Sequence, residues 1–234
     1  MSTSPGIEQC LLPSRFADSQ SPGVMARADS LIERNAGDLE NAVALFYWVR
    51  DEIRYNPYAI APTEASFLAS TTLQAGEAWC VPKAILLMAL CRAAGIPARL
   101  GLADVRNHLS TARMREVMQT DVFYFHGYTS IYLNETWVKA TPAFNIELCE
   151  KFGLKPLEFD GLRDSLYHEF DVAGNRHMEY LNDRGEYLDL PFEEMMAVFR
   201  VHYPNIFQGA AAGVGGLPEA GSWDEDVDRE VGSG

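Results

Sequence analysis

Two residues in this chain could do chemistry together, Cys80 and His126. Cys80 stands in Ala78-Trp-Cys-Val-Pro-Lys-Ala-Ile-Leu-Leu-Met-Ala-Leu-Cys-Arg-Ala-Ala-Gly95, whose pattern predicts an amphipathic helix opening at the cysteine and closing at Gly95, with Pro97 blocking its continuation. A thiol in the first turn sits in the positive field of the helix N-terminus, which favours thiolate, the nucleophilic form. His126 lies in Asp121-Val-Phe-Tyr-Phe-His-Gly-Tyr-Thr-Ser-Ile-Tyr-Leu133, aromatic and β-branched as a strand should be. An imidazole there is a candidate base. The competing reading makes Cys80 a small buried hydrophobe, as free cysteines usually are, and His126 a hydrogen-bonded strand residue.

The elements that must position this pair can be read along the chain. Residues 1 to 22 contain Pro5, Pro13 and Pro22 and read as an irregular lead. Gly23 to Asn35 has helical spacing, and Asp38 is a candidate N-cap for a helix whose Ala42, Leu45, Phe46 and Val49 share a face. Tyr55 to Gly76 is mixed and loop-rich. A strand is expected after Pro97, and a short helix over Leu109 to Thr120. The pair Asn134-Glu135 marks a hairpin turn into a second strand, Thr136 to Ala140. Ile146 to Phe152 reads as a short helix, Leu157 to Pro191 has no clean period, and Phe192 to Tyr203 reads as a final helix. From residue 209 to 234 the chain is rich in Gly, Ala and acids, so disorder is expected there unless a partner holds it.

A cysteine-opening helix that closes on Arg92-Ala-Ala-Gly-Ile-Pro-Ala-Arg99, a strand histidine, and Trp137-Val138 ahead of Thr141-Pro142 resemble the transglutaminase-like superfamily of papain-type thiol enzymes, with a likeness running from about residue 24 to 145. The resemblance implies an α+β fold in which the nucleophile helix packs on an antiparallel β-sheet. It sets the family domain over 23–208, with an extension from about 146. It also implies cysteine-dependent hydrolysis of, or acyl transfer from, an amide, peptide or isopeptide bond, with no cofactor and no metal. Cys80 would be the nucleophile and its backbone N–H an oxyanion donor, with Trp79 a candidate second donor; Trp79 is equally a packing residue.

The sequence departs from the family where an Asp would orient the histidine. Aligned through Trp137-Val138, that position is Thr141. Either Thr141 orients His126, or Asn145 does, or catalysis is lost and the cleft only binds a peptide or small ligand. Losing that carboxylate in a serine hydrolase costs about 10⁴-fold in turnover. Asp104 is the carboxylate to check. Tyr124 and Tyr128 share the His126 face by the period-two rule, and with Asp104, Arg106 and His108 they are candidates for substrate binding. His168 and His177 are further pocket candidates, and His202 suits a helix C-terminus. Arg99, Arg106, Lys139 and Arg176 could recognise a substrate carboxylate.

Composition excludes several classes. The chain has 234 residues, is 47% hydrophobic and carries a net charge of −14, so it can bury a sizeable core and offers nothing like a basic groove for nucleic acid. No apolar run approaches the roughly 18 residues of a membrane span, and no signal-peptide pattern is visible, so a cytoplasmic, membrane-free protein is expected. Four cysteines, Cys10, Cys80, Cys91 and Cys149, lack the spacing of a disulfide framework or a zinc site. The acidic tail could recruit a basic partner, although terminal charge runs are usually just solvated.

Overall fold

The computed structural model describes residues 6–107, 110–166, 178–211 and 222–231. Helix α1 (Pro22–Leu31) starts with proline in its first turn, where a missing N–H costs nothing, and α2 (Asp38–Glu52) follows with Gly37 as its N-cap. Asp38 is therefore the first helical residue, not the cap; its carboxylate still lies where the helix field favours it. Strand β1 (Arg54–Tyr55), helix α3 (Ala69–Ala75) and strand β2 (Glu77–Ala78) come next. The parallel pair β1·β2, which flanks the stretch expected to be loop, joins Tyr55 to Ala78 just before Cys80.

Helix α4 (Cys80–Ala93) runs through the centre, and Gly95 ends it at φ 80° while Ile96 N–H reaches the Cys91 carbonyl at 2.8 Å. It is not amphipathic. Residues from Cys80 to Arg92 are all buried, because α1, α2 and α3 cover one side and the sheet covers the other. That sheet is antiparallel throughout, in the order β5-β4-β3-β6, from β3 (Ala98–Asn107), β4 (Val122–Leu133), β5 (Thr136–Ala140) and β6 (Met178–Tyr187). Helices α5 (Ala112–Met118) and α6 (Ile146–Phe152) lie in the connections. Asn134 and Glu135, both at positive φ, turn β4 into β5. The fold is α+β, with the cysteine helix packed on an antiparallel sheet.

The C-terminal part adds α7 (Phe192–His202), α8 (Pro204–Ala211) and α9 (Trp223–Val231). Order at 222–231 departs from the expected disorder, and the reason is local. Trp223 and Val227, four apart on one helix face, are buried, while carboxylates flanking them pair with cations of the body. No helix among the described residues is long and apolar enough to cross a membrane.

One buried cation ties α4 to α2. Lys83 is fully buried, and its Nζ donates to the carbonyls of Arg50, at 2.9 Å, and Ile53. These are carbonyls that the end of α2 leaves without helical partners. Burial lowers the Lys83 pKa to about 7, with Asp51 opposing the fall. Between that value and the ordinary lysine range the unfolded chain holds more protons, so Lys83 makes stability rise with pH across that window. Lys83→Met strands the carbonyls and should cost about 1–3 kcal/mol at pH 7. Urea denaturation at pH 7 and pH 9 should show the cost growing with pH; a cost that shrinks would contradict this account.

Candidate active site

Tyr55 and Cys80 are brought together before any long-range contact of the sheet is needed. Gly76, in the left-handed conformation at φ 68°, stops α3; β2 then pairs with β1, and Trp79 caps α4 through its backbone. Cys80 thus becomes the first residue of the helix, as the sequence predicts. Trp79 is buried among rings, with Phe67 at 5.7 Å and Phe199 at 6.0 Å between centroids, so its body is a packing element of the cavity wall.

Strand β4 crosses the N-terminal turns of α4 at Gly127. A Cβ there would lie 2.9 Å from Val81 Cα and 3.2 Å from the Cys80 carbonyl oxygen. Thr129, two residues on, donates its hydroxyl to the Ala84 carbonyl at 2.9 Å. The backbone amides of Gly127, Val81 and Cys80 itself act on the Cys80 thiol by opposing the rise of its pKa. His126 precedes Gly127 and lines one cavity with Cys80, together with Tyr55, Trp79, Phe123, Tyr124, Phe199 and Tyr203. That cavity has about 310 Å³ of empty space. β5 leaves β4 after the Thr129–Ala140 pair, so the β4 edge near His126 carries no ladder partner on that side among the described residues.

The alternation expected along β4 fails in one place. Phe125 has φ 59°, and the β3·β4 register shifts between Ala103 and Val105. This bulge adds a residue and moves Tyr124 onto the Cys80 cavity, while Tyr128 goes elsewhere: its ring lies over Gly101 and packs with Ala103, Val105 and Met178. Tyr128 is therefore not part of the cavity wall. The bulge is held by Asp104, whose Oδ1 accepts from the Phe125 N–H at 3.1 Å and from Arg184 Nε at 2.6 Å; Asn182 Nδ2 donates to its other oxygen at 3.3 Å. The Arg184 guanidinium also lies 4.0 Å from the Phe125 ring centroid. Asp104, expected to meet substrate, instead braces the backbone beside His126.

Thr141 and His126 line a second cavity, with Ala143, Phe144, Cys149 and Met178. The Thr141 hydroxyl is buried and forms no hydrogen bond among the described residues, while its N–H donates to the Ser165 carbonyl at 2.8 Å. Asn145 sits apart: its Oδ1 accepts from the Tyr55 N–H at 3.1 Å, which fixes β1 rather than the imidazole. Arg106 pairs with Asp121 and Glu179 at the sheet surface, and Arg99 and Lys139 both meet Glu186, so none of these three lines the Cys80 cavity. His202 stacks on Tyr124 at 4.0 Å. His108, His168, Arg176 and His177 lie outside the described residues.

The sequence left the roof of the cavity unread. Phe199 and Tyr203, four apart across the end of α7, cover the site, and the Tyr203 hydroxyl accepts from Tyr124 N–H at 2.7 Å while donating to the Val122 carbonyl at 2.9 Å. Their i,i+4 spacing was the available signal. The consequence for the thiol is large. Cys80 is 3% exposed, and burial pushes its pKa up to about 12, with the backbone N–H groups of Gly127, Val81 and Cys80 opposing the rise. The thiolate expected from the helix field is thus not the resting form of this covered state.

A family model, the transglutaminase-like superfamily, matches residues 25–142, half of the chain, taking in both Cys80 and His126. No curated protein matches. Solved structures similar to it include a "putative cysteine protease" from Cytophaga hutchinsonii, 17% identical with a TM-score of 0.46, over 80% of this chain and 55% of that one. Another is a "putative protease" from Parabacteroides distasonis, 15% identical with a TM-score of 0.39, over 59% of this chain and 27% of that one. The chain therefore spans about half of the first structure and about a quarter of the second.

Two outcomes are expected at this site. Asp104→Ala removes the acceptor of a nearly buried ion pair and should cost about 3 kcal/mol in urea denaturation, whereas Asp104→Asn, which still accepts from Phe125, should cost less. Iodoacetamide labelling of Cys80, followed by peptide mass spectrometry, should rise about tenfold per pH step of one between pH 8 and pH 11, since only the thiolate reacts. A flat profile reaching below pH 6 would mean that the thiolate is already formed.

Proposed function

The chain belongs to the transglutaminase-like superfamily, and on that premise we propose that it is a thiol enzyme acting on an amide, peptide or isopeptide bond. The observation carrying this reading is that Cys80, at the first turn of α4, and His126, on β4, line the same cavity. His126 takes the Cys80 proton as the sulfur attacks the carbonyl carbon, so the base acts during attack instead of holding a resting ion pair. A carbon–sulfur bond forms, and the carbonyl oxygen gathers the negative charge. The Cys80 backbone N–H, free of helical duty at the helix start, is the donor we assign to that oxyanion. The imidazolium then gives its proton to the leaving amine as the carbon–nitrogen bond breaks. The thioester left on Cys80 is released by water, which gives the acid, or by a second amine, which gives a new amide. Thr141, which lines a cavity with His126, is the residue we assign to steadying the imidazole.

A second reading, a protein that only binds a peptide or small ligand in this cleft, is favoured by the burial of the thiol. One experiment separates the two. On mixing with p-nitrophenyl acetate, the wild type should release a burst of p-nitrophenolate near one equivalent, with the acetyl group found on Cys80 by mass spectrometry. Cys80→Ala should lose the burst, and His126→Ala should slow it about 10²-fold or more. Equal release by wild type and Cys80→Ala would leave only the binding reading standing.

A further inference from the structure

Next to the Cys80 cavity lies a second, apolar one with about 350 Å³ of empty space, and the two share Tyr55, Pro57 and Phe123. Trp223 of α9 closes it from outside. The indole is 6% exposed and stands edge-on to Tyr55 at 6.1 Å and to Tyr58 at 5.4 Å. Tyr55 thus touches the docked tryptophan and also lines the cavity of the nucleophile.

Around this aromatic socket runs a set of cations, and each meets a carboxylate of α9. Arg54 pairs with Asp224 at 3.2 Å, Lys151 with Asp228 at 2.6 Å, Arg113 with Asp226 at 3.7 Å, and Arg115 with Glu230 at 3.8 Å. Asp226 is nearly buried and also accepts from the Tyr58 hydroxyl at 2.7 Å, while Glu230 accepts from the Ala112 N–H at 2.6 Å. In a chain of net charge −14 with 19 basic residues, four cations gather around one apolar socket, where Glu77 also meets Arg54 at 3.0 Å and Glu147 lies near Lys151. A second observation concerns fit. The Trp223 indole N–H is buried without an acceptor among the described residues, so the docked segment leaves a donor unsatisfied and a better-matched ligand can displace it.

We propose that this groove selects an acidic peptide segment anchored by a large aromatic side chain, and that residues 222–231 occupy it in cis, closing the approach to Cys80 until such a segment displaces them. The assignment of the groove as a substrate site rests on the reading of Cys80 as nucleophile; the identity of its occupant does not. The amphipathic helix laid in a groove is a common recognition mode, and here the aromatic anchor gives affinity while the carboxylates set register and exclude basic segments.

The test uses full-length proteins and a fluorescein-labelled peptide of residues 222–231, read by fluorescence anisotropy. Two opened variants are compared with wild type, Trp223→Ala and the double variant Asp224→Lys/Asp228→Lys. The second alters only exposed carboxylates and keeps the core intact should the first fold poorly. Both opened variants should bind the peptide at least tenfold more tightly than wild type, whose groove is filled. A peptide carrying Ala for the tryptophan should bind at least tenfold more weakly. Repeating the titration in a Cys80→Ala background reads the groove with the thiol absent, so loss of acylation chemistry and loss of groove binding are seen separately. Saturating peptide should also slow Cys80 acetylation in the opened variants at least fivefold. Equal binding by all three proteins, indifference to the tryptophan, or acetylation unchanged by bound peptide would overturn the proposal.

Discussion

The close approach of β4 to α4 at Gly127 is the constraint on which the site depends. With 2.9 Å between a hypothetical Cβ and Val81 Cα, no side chain fits, and the strand backbone lies directly against the first turns of the helix. That contact has two effects at once. It sets the Gly127 backbone against Val81 and the Cys80 carbonyl, and it holds the neighbouring residue, His126, at the cavity Cys80 lines. Residues further along β4, Thr129 and Ile131, anchor the same crossing in the core. The strand therefore sets the register of His126 against Cys80, with the sheet behind it as support.

A strand this close to a helix would ordinarily continue its alternation past the site, and here it does not. The bulge at Phe125 holds a bulky residue at positive φ, a conformation that persists only when the surroundings impose it. Asp104 and Arg184 do so, from β3 and β6, and the cation over the Phe125 ring adds a second restraint. The carboxylate that the family pattern leads one to seek beside the imidazole is thus spent on the backbone one residue away. His126 thus follows a braced main chain and lines a cavity with Thr141.

What the sequence made legible, and what it hid, follows the range of the physics involved. The cysteine helix, the hairpin and the order of Cys before His rest on local pattern, and all are present in the fold. Strand β6 was hidden because Asn182, Asp183 and Gly185 are turn-type residues, and only pairing with β3 makes this segment a strand. Helix α9 was hidden because its composition cannot fold alone; Arg54, Arg113, Arg115 and Lys151, distant in sequence, supply the partners. The shared face of Tyr124 and Tyr128 was misread because period two assumes no bulge. Asn145 sits near the site in sequence, yet its side chain is claimed by the Tyr55 backbone.

The charge state of the thiol shows the same conflict of ranges in energetic form. The field at a helix N-terminus favours a thiolate by up to about 2 kcal/mol in partly buried settings. Burial acts against it, and a pKa moved from the usual thiol range to about 12 corresponds to roughly 4 kcal/mol in favour of the neutral form. Burial wins, so position alone does not activate Cys80. The groups that bury it, Tyr55, Phe199 and Tyr203, also roof its cavity, and two of them, Phe199 and Tyr203, lie beyond the matched residues 25–142. On the proposed reading of Cys80 as nucleophile, access and activation are one event: whatever parts these rings would admit water and a carbonyl together, remove the desolvation that holds the proton on sulfur, and leave the helix field and His126 to act. A thiol kept neutral under such a roof is protected from oxidation and alkylation for as long as no substrate is present, because both reactions require the thiolate.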